Sequence, residues 1–249
     1  MIPTAWTDQS AAGVRAVEPR EPLALAASIT RALQGVEQAG EEVSARAPAS
    51  GPVAVKIGEV STRAPASAPL VVKIGMLPDA ASAAAVLDAL REFNGPVVLD
   101  PVLSASSGGA LFAGDVGALV ELGARAALMT PNAFEAATLT GLPVHSVEGA
   151  VAAGAALCSR GLGAVLVKGG HLDGDESIDV LVSGRDVRIF RGLRMKGPQA
   201  RGTGCALATA IAVGLGRGAP LVQAIAEAKD WLAGAIGRAV AVGDEWHLG

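Results

Sequence analysis

Short apolar runs that alternate with helix-like segments constrain the fold of this chain more than any other feature of its sequence. Runs of strand length occupy 69–75, 96–99, 126–130 and 164–168. Segments whose apolar residues recur at helical spacing occupy 80–93, 115–125, 132–139 and 147–160. Strands that are apolar on both faces are typical of a parallel sheet covered by helices on both sides. The pattern therefore predicts an α/β fold with a doubly wound, mostly parallel sheet in three α/β/α layers.

The C-terminal part of the chain continues with a different pattern. Residues 179–183 and 187–190 are predicted to be antiparallel strands around a Ser-Gly-Arg-Asp turn, and helices are predicted over 203–216 and 220–239. Doubly wound sheets bind their ligands beyond the carboxyl ends of the strands. We therefore expect the chemistry at the residues that follow the strands, which are Met76, Asp100, Asn132, Glu135, Lys168, Gly169, Gly170 and Cys205.

Composition excludes several classes of protein. With 249 residues, 51% hydrophobic and 18% charged, the chain is not disordered, collagen-like or a coiled coil, and its length predicts one domain over 1–249. A net charge of -4 without a basic stripe argues against nucleic-acid binding. The longest uncharged runs fall short of the roughly 18 residues that a membrane span needs, and the N-terminus does not resemble a signal peptide. We expect a reduced, cytoplasmic protein.

One segment of the chain is duplicated. RAPASGPVAVKIG at 46–58 is nearly repeated as RAPASAPLVVKIG at 63–75. A solenoid needs about three or more repeats, so a single extra copy indicates a local duplication. Only one of the two apolar runs can fill a given position in a sheet, and the ordered pattern after 75 favours the second. The sequence thus predicts a flexible insert at about 43–68.

A glycine-rich turn opens the helix predicted at 203–216. Gly202 and Gly204 flank Thr203 and permit close approach of a ligand to the backbone, while the first N–H groups of a helix favour an anion. The alternative is a tight turn into a buried helix. Cys205 follows at the helix N-terminus, a location that lowers the pKa of a thiol and favours reactivity. The alternative is that Cys205 is a small buried apolar residue.

Five motifs in order resemble the hydroxymethylpyrimidine and phosphomethylpyrimidine kinases of thiamine biosynthesis, within the ribokinase-like superfamily. They are VKIGML at 72–77, VVLDPV at 97–102, TPNAFEA at 130–136, VLVKGGHL at 165–172 and GTGCALATAIA at 202–212. TAWTDQSAAGV at 4–14 and EAKDWLAGAI at 227–236 are similar too. The resemblance implies a ribokinase-like fold and ATP-dependent phosphorylation of 4-amino-5-hydroxymethyl-2-methylpyrimidine, of its monophosphate, or of both.

The same resemblance assigns the catalytic centre. Gly202 and Gly204 would form the anion hole for the transferred phosphoryl group, with Thr203 beside it. Cys205 would take the proton from the hydroxymethyl oxygen of the substrate.

The remaining assignments concern ligands. The resemblance implies ATP and phosphate binding at Lys168, Gly169, Gly170 and Asn132, magnesium at Asp100 and Glu135 mostly through water, and aminopyrimidine contacts at Gln9, Met76 and Val102. The family is often dimeric, so a homodimer is an expectation, although the sequence itself shows no interface.

Two departures leave alternatives open. The family begins with a strand and a G-x-D-x-x-G-G-A-G loop that this sequence lacks, so we expect the first βα unit to be missing and the substrate pocket to be affected. Arg201 also stands where the family often has His. The chain is therefore an active pyrimidine kinase, a related kinase of pyridoxal or a similar hydroxymethyl heterocycle, or a weakly active or non-catalytic homologue that binds nucleotide or pyrimidine.

Overall fold

A computed structural model of the chain describes residues 2–3, 5–10, 13–19, 54–58, 71–105, 108–170, 176–193, 202–242 and 245–249. The strands are β1 (Ile2–Pro3), β2 (Ala5–Ser10), β3 (Gly13–Pro19), β4 (Ala54–Gly58), β5 (Val71–Ile74), β6 (Val97–Leu99), β7 (Leu128–Met129), β8 (Val165–Val167), β9 (Glu176–Ser183), β10 (Asp186–Leu193), β11 (Val240–Val242) and β12 (Glu245–His247). The helices are α1 (Ala80–Ala89), α2 (Gly117–Arg125), α3 (Ala133–Thr140), α4 (Val147–Ser159), α5 (Thr203–Gly216) and α6 (Leu221–Gly237).

Eight strands form the main sheet, in the order β1-β4-β5-β6-β7-β8-β9-β10. Strands β5 to β8 are parallel to one another, whereas β4 and β9 run antiparallel to them. Because β1 is antiparallel to β4 and β10 is antiparallel to β9, these outer strands share the direction of the central ones. The predicted mostly parallel sheet is confirmed.

Helices cover both faces of this sheet. On one face, residues such as Val72 and Val165 pack with α1, α2, α3 and α4. On the other, the neighbouring positions Val71 and Leu166 pack with α5 and α6. Successive residues of a strand point to opposite faces, so each central strand contributes to both cores. The result is the predicted three-layer arrangement.

The predicted helices and central strands recur with similar or shorter bounds, whereas the two strands of the predicted hairpin are longer than predicted. The first helix ends at Ala89 rather than at residue 93, because Leu90 leaves the helical conformation and a turn over residues 90–92 follows. The predicted antiparallel pair becomes the hairpin of β9 and β10, joined at Gly184 with φ +59. Within the described ranges, no helix combines the length and apolar character that crossing a bilayer requires.

The duplicated segment contributes two strands to the sheet. The second copy forms β5, which is parallel to β6, as the sequence predicts. Part of the first copy forms β4, which pairs antiparallel with β5 and brings Lys56 opposite Lys73 along the backbone. Residues 54–58 therefore depart from the prediction of a flexible insert, and the rest of 43–68 lies outside the described residues. Strands β2 and β3 form a separate hairpin that the sequence did not predict.

Candidate active site

A buried carboxylate, that of Asp100, lies at the carboxyl end of β6. Lys168, which follows β8, places its Nζ 2.7 Å from Oδ1 of Asp100. Thr130, which follows β7, donates a hydrogen bond of 3.3 Å to the same oxygen. Lys73 in β5 places its Nζ 3.6 Å from Oδ2. Four adjacent parallel strands thus supply one cluster of charged and polar groups, at the edge where ligands of such sheets bind.

The two lysines keep Asp100 ionised. Burial alone raises the pKa of this carboxyl group, but the charges of Lys168 and Lys73 outweigh burial, and the pKa falls from 3.8 to about 2. Oδ2 is fully buried and has no hydrogen-bond partner among the described residues. Asp100 therefore presents a charged oxygen with unused capacity to bind a cation or a donor.

Lys168 occupies the space beside the start of α5. Its backbone N–H donates to Pro131 O at 2.8 Å, which ties it to the turn before α3. A Cβ built on Gly204 would lie 3.1 Å from the Lys168 ammonium, so a larger residue at 204 would displace the lysine. Burial lowers the pKa of Lys168, but the charges of Asp100 and Glu135 raise it more, and the side chain remains a cation.

Helix α5 begins at a glycine that its geometry requires. Gly202 is the N-cap residue with φ +75, a left-handed conformation that favours glycine, and it offers no side chain to cap the helix. The first intrahelical bond runs from Ala206 N to Gly202 O, which leaves the N–H groups of Thr203, Gly204 and Cys205 ahead of it for an external acceptor. With the Lys168 ammonium beside it, this helix start favours an anion.

The Cys205 thiol differs from the expectation. Burial, the Asp100 charge and a hydrogen bond to Asp100 raise the pKa of the thiol from 9.0 to about 11. The expectation of a lowered pKa is wrong, because desolvation and a neighbouring carboxylate outweigh both the helix start and the attraction of the lysines. At neutral pH Cys205 is therefore a protonated thiol beside the Asp100 carboxylate.

A capping box at the start of α3 orients Glu135. The Asn132 side chain accepts from Glu135 N at 2.9 Å, and Glu135 Oε2 accepts from Asn132 N at 2.7 Å. Asn132 is therefore the predicted N-cap residue. Burial raises the pKa of Glu135 from 4.5 to about 7, with Lys168 opposing this effect and Asp100 adding to it.

The residues expected to hold magnesium fit a water-rich site. No cluster of three or more His, Cys, Asp or Glu side chains with metal-ligating placement occurs in the described part of the chain. Mg²⁺, however, usually binds through one or two carboxylates together with waters and substrate phosphates. Asp100 raises the pKa of Glu135, so the two charges interact, and Oδ2 of Asp100 lacks a hydrogen-bond partner. A cation near this pair would reduce the repulsion between the two carboxylates and would give Oδ2 of Asp100 a partner.

The expected pyrimidine contacts are brought together in part. Met76 is fully buried with Leu111 in a small apolar cluster, and Val102 packs against it. Both follow strands of the same sheet edge as Asp100. Gln9 lies in β2, a strand for which the structure describes the backbone only. Arg201 lies outside the described residues.

Sequence reasoning did not single out Lys73, Asp179 and Lys229. Lys73 carried a signal, a lysine within an apolar strand run, and it is only 4% exposed. Asp179 accepts from Gly169 N at 2.8 Å and pairs with Lys229, which lies fifty residues later. Their contact is tertiary, and no local pattern points to it.

The sequence matches a family profile and several known proteins. A profile of the family described as phosphomethylpyrimidine kinase matches residues 53–248. The hydroxymethylpyrimidine/phosphomethylpyrimidine kinase of Rhizobium meliloti is 43% identical over 159 residues, which is 63% of this chain and 60% of that protein. The thiamine biosynthesis bifunctional protein ThiED of Geobacter sulfurreducens is 41% identical over 144 residues, 56% of this chain and 29% of that protein. The chain thus spans about three fifths or less of the length of these relatives.

Solved structures share the architecture. The phosphomethylpyrimidine kinase of Clostridium difficile has a TM-score of 0.66 at 28% identity and covers 94% of this chain and 84% of that one. The pyridoxal kinase of Staphylococcus aureus in complex with ADP has a TM-score of 0.77 at 23% identity, with coverages of 99% and 80%. At that identity the second likeness shows the fold alone. Together these structures confirm the predicted ribokinase-like fold.

Proposed function

Because the chain belongs to the phosphomethylpyrimidine kinase family, whose profile matches residues 53–248, we propose that it phosphorylates 4-amino-5-hydroxymethyl-2-methylpyrimidine, its monophosphate, or both, with ATP as the donor. This reaction belongs to thiamine biosynthesis, which the relative from Geobacter sulfurreducens names. One observation carries the proposal: Lys168, Asp100 and Cys205 meet at the open N-terminus of α5.

Charge neutralisation is the first task of such a site. Phosphoryl transfer needs positioning and electrostatic stabilisation more than covalent chemistry from the protein. Lys168 and the N–H groups that start α5 would hold the transferred phosphoryl group, while Gly169 and Gly170 would let the phosphates approach the backbone. Magnesium, when bound, would neutralise phosphate oxygens, and Asp100 and Glu135 would hold it mostly through water.

Proton removal is the second task. The Cys205 thiol, whose pKa the Asp100 carboxylate raises, would donate to Asp100, and its sulfur lone pairs would accept a hydrogen bond from the substrate hydroxyl. As the new O–P bond forms and the bond from the γ-phosphorus to the bridging oxygen breaks, releasing ADP, the hydroxyl proton would pass to sulfur and the thiol proton to Asp100. A loose transition state places little charge on the attacking oxygen, so a weak base suffices if the proton leaves late.

A coupled ATP-turnover assay on the purified chain tests the function. Hydroxymethylpyrimidine, its monophosphate and pyridoxal would be compared, each with and without magnesium. Magnesium-dependent turnover of either pyrimidine, in excess over pyridoxal, is expected. Faster turnover of pyridoxal would replace the substrate assignment. ADP binding without any turnover would leave a nucleotide-binding homologue and would reject the kinase.

Two further expectations from the sequence remain proposals, of which the homodimer rests on the family. We infer a homodimer and a cytoplasmic location, and multi-angle light scattering of the purified chain tests the first. A monomer across micromolar concentrations would reject it.

A further inference from the structure

A buried ion pair lies behind the loop that carries Lys168. Asp179 in β9 has a side chain that is 6% exposed, and Lys229 in α6 has one that is 13% exposed. Oδ2 of Asp179 accepts from the Lys229 ammonium, and Oδ1 accepts from the backbone N–H of Gly169 at 2.8 Å. One carboxylate thus joins a C-terminal helix to the glycine turn of the candidate nucleotide site.

Strand register explains why a side chain is needed there. The antiparallel pairing of β8 with β9 ends at Val167 opposite Val180. Lys168, the residue after β8, donates its backbone N–H to Pro131 O, on the side of the other neighbouring strand, β7. The backbone N–H of Gly169 therefore finds no strand partner, and the Asp179 carboxylate accepts its hydrogen bond. That bond fixes the direction in which the chain leaves β8.

Lys229 keeps this carboxylate in place. Its side chain reaches from α6 past Gly192 of β10, where a Cβ would stand 4.0 Å from Lys229 Cε. A buried carboxylate without a cation would be costly and would move toward solvent. Buried ion pairs contribute little net stability compared with apolar residues of similar size, so positioning is the better explanation of this pair.

We propose that Asp179 and Lys229 are positioning residues that hold the Lys168–Gly169 turn and thereby set the affinity for the phosphates of a nucleotide. Neither side chain contacts the catalytic cluster around Asp100 in the hydrogen bonds and ion pairs of the described residues. Their effect passes through the Gly169 N–H. The preceding residue, Lys168, contacts Asp100 and lies beside the start of α5. This inference rests on the proposed function, since it deepens the nucleotide site of that function.

Two double variants isolate the hydrogen bond from the charge. Asp179→Asn with Lys229→Met removes both charges but keeps an oxygen that can accept from Gly169. Asp179→Leu with Lys229→Met removes both charges and the acceptor while keeping a side chain that branches at the same carbon. Because both replace the pair by neutral residues, both are expected to fold. An exposed pair on the same hairpin, changed as Glu176→Gln with Arg191→Met, is the control.

The measurement is the dissociation constant of ADP by calorimetry, with KM values for ATP and pyrimidine beside it. The leucine double variant is expected to bind ADP about fivefold more weakly than the asparagine one, as the loss of a neutral hydrogen bond predicts. The KM for pyrimidine is expected to stay unchanged in both double variants. The control variant is expected to bind ADP as tightly as the wild type. Equal ADP affinities of the two double variants would overturn the inference.

Hydrogen exchange in the wild-type chain supplies a second readout. The Gly169 amide is expected to be protected, and fast exchange at this amide would also overturn the inference even if a variant misfolds. A wild-type chain that binds no ADP would instead reject the proposed nucleotide site. The two failures are therefore distinguishable.

Discussion

At Asp100, two lysine ammonium groups face one carboxylate, and the balance of charge then depends on Glu135. With the pKa of Glu135 at about 7, the cluster carries either one excess positive charge or none near neutral pH. An excess of positive charge in a buried site attracts a phosphate, whereas the ionised Glu135 favours a metal cation. The residues thus suit a ligand that brings a phosphate together with a metal cation.

Lys73 is the residue through which this balance is best tested. Lys73→Met removes a buried cation 3.6 Å from Oδ2 but leaves Asp100 paired with Lys168. We expect the free energy of unfolding to change by only about 1 kcal/mol, because the cost of burying Lys73 is removed with its attraction. The rate of phosphoryl transfer should fall by about tenfold or more, since less positive charge faces the phosphates.

Steady-state kinetics and urea unfolding of the same preparation would check the Lys73 prediction. Arg188→Met on the exposed strand β10 is the matched control for loss of a cation, and it should leave the rate unchanged. A Lys73→Met protein with wild-type kcat would show that Lys73 only fills space.

Cys205 makes a second prediction at this scale. Cys205→Ala removes the hydrogen bond to Asp100 and the acceptor for the substrate proton, so kcat is expected to fall by about 100-fold or more. The dissociation constant of ADP should change little, because the helix N–H groups and Lys168 remain. Cys205→Ser keeps a hydroxyl that can donate to Asp100 and should retain more activity than alanine. Equal turnover by the alanine variant would remove Cys205 from the proton transfer.

Elements of the fold could be predicted where a pattern is local. The alternation of strands and helices, the Asn132 cap and the glycine start of α5 all follow from residues close in sequence. The strand β4 could not be predicted, because its sequence nearly repeats that of β5 and only the pairing across the sheet distinguishes them.

Side chains of the site divide in the same way. The residues after the strands could be predicted, since parallel strands bring their carboxyl ends to one edge. The partner of Asp179 could not be predicted, because Lys229 lies fifty residues away on a helix whose rotation about its axis depends on packing. The raised pKa of Cys205 could not either, since it comes from burial and from Asp100 rather than from the helix start.

Close packing of α4 on the sheet yields a prediction at the scale of elements. A Cβ on Gly154 would lie 2.6 Å from Cγ2 of Val182 in β9 and 3.1 Å from its Cβ. Val182 is buried and β-branched, so it cannot rotate away freely. Gly154→Ala should therefore destabilise the protein by about 1–2 kcal/mol, even though alanine favours a helix by about 1 kcal/mol.

Thermal or urea unfolding measures the effect of Gly154→Ala. Gly163→Ala, where a Cβ meets nothing within 4 Å, is the matched control and should be nearly neutral. A stabilised Gly154→Ala protein would mean that α4 shifts on the sheet at little cost.

At the scale of the whole molecule, the buried acids of the site link stability to pH. Asp100 has a pKa of about 2 in the folded chain against 3.8 as its ordinary value, so its contribution is present above 3.8 and lost as pH falls toward 2. The contribution of Glu135 to stability has the opposite pH dependence, because its pKa is about 7 in the folded chain against 4.5 as its ordinary value. Its contribution is complete below 4.5 and is lost as pH rises through 7. These two acids alone favour maximal stability near pH 4 to 5, below the neutral range.

Glu135→Gln separates the contribution of Glu135 to the pH dependence of stability from the contributions of all other groups. Glutamine keeps an oxygen for the Asn132 N–H but cannot ionise, so the variant should lose the Glu135 part of the pH dependence between pH 4.5 and 7.5. Relative to wild type it should gain stability as pH rises, up to about 3 kcal/mol at pH 7.5 if the full shift is expressed. Urea unfolding without magnesium at four pH values across this interval gives the difference curve. Parallel curves for the two proteins would mean that Glu135 ionises in the folded chain as it does in the unfolded one, and the charge balance at Asp100 would then hold no excess positive charge at neutral pH.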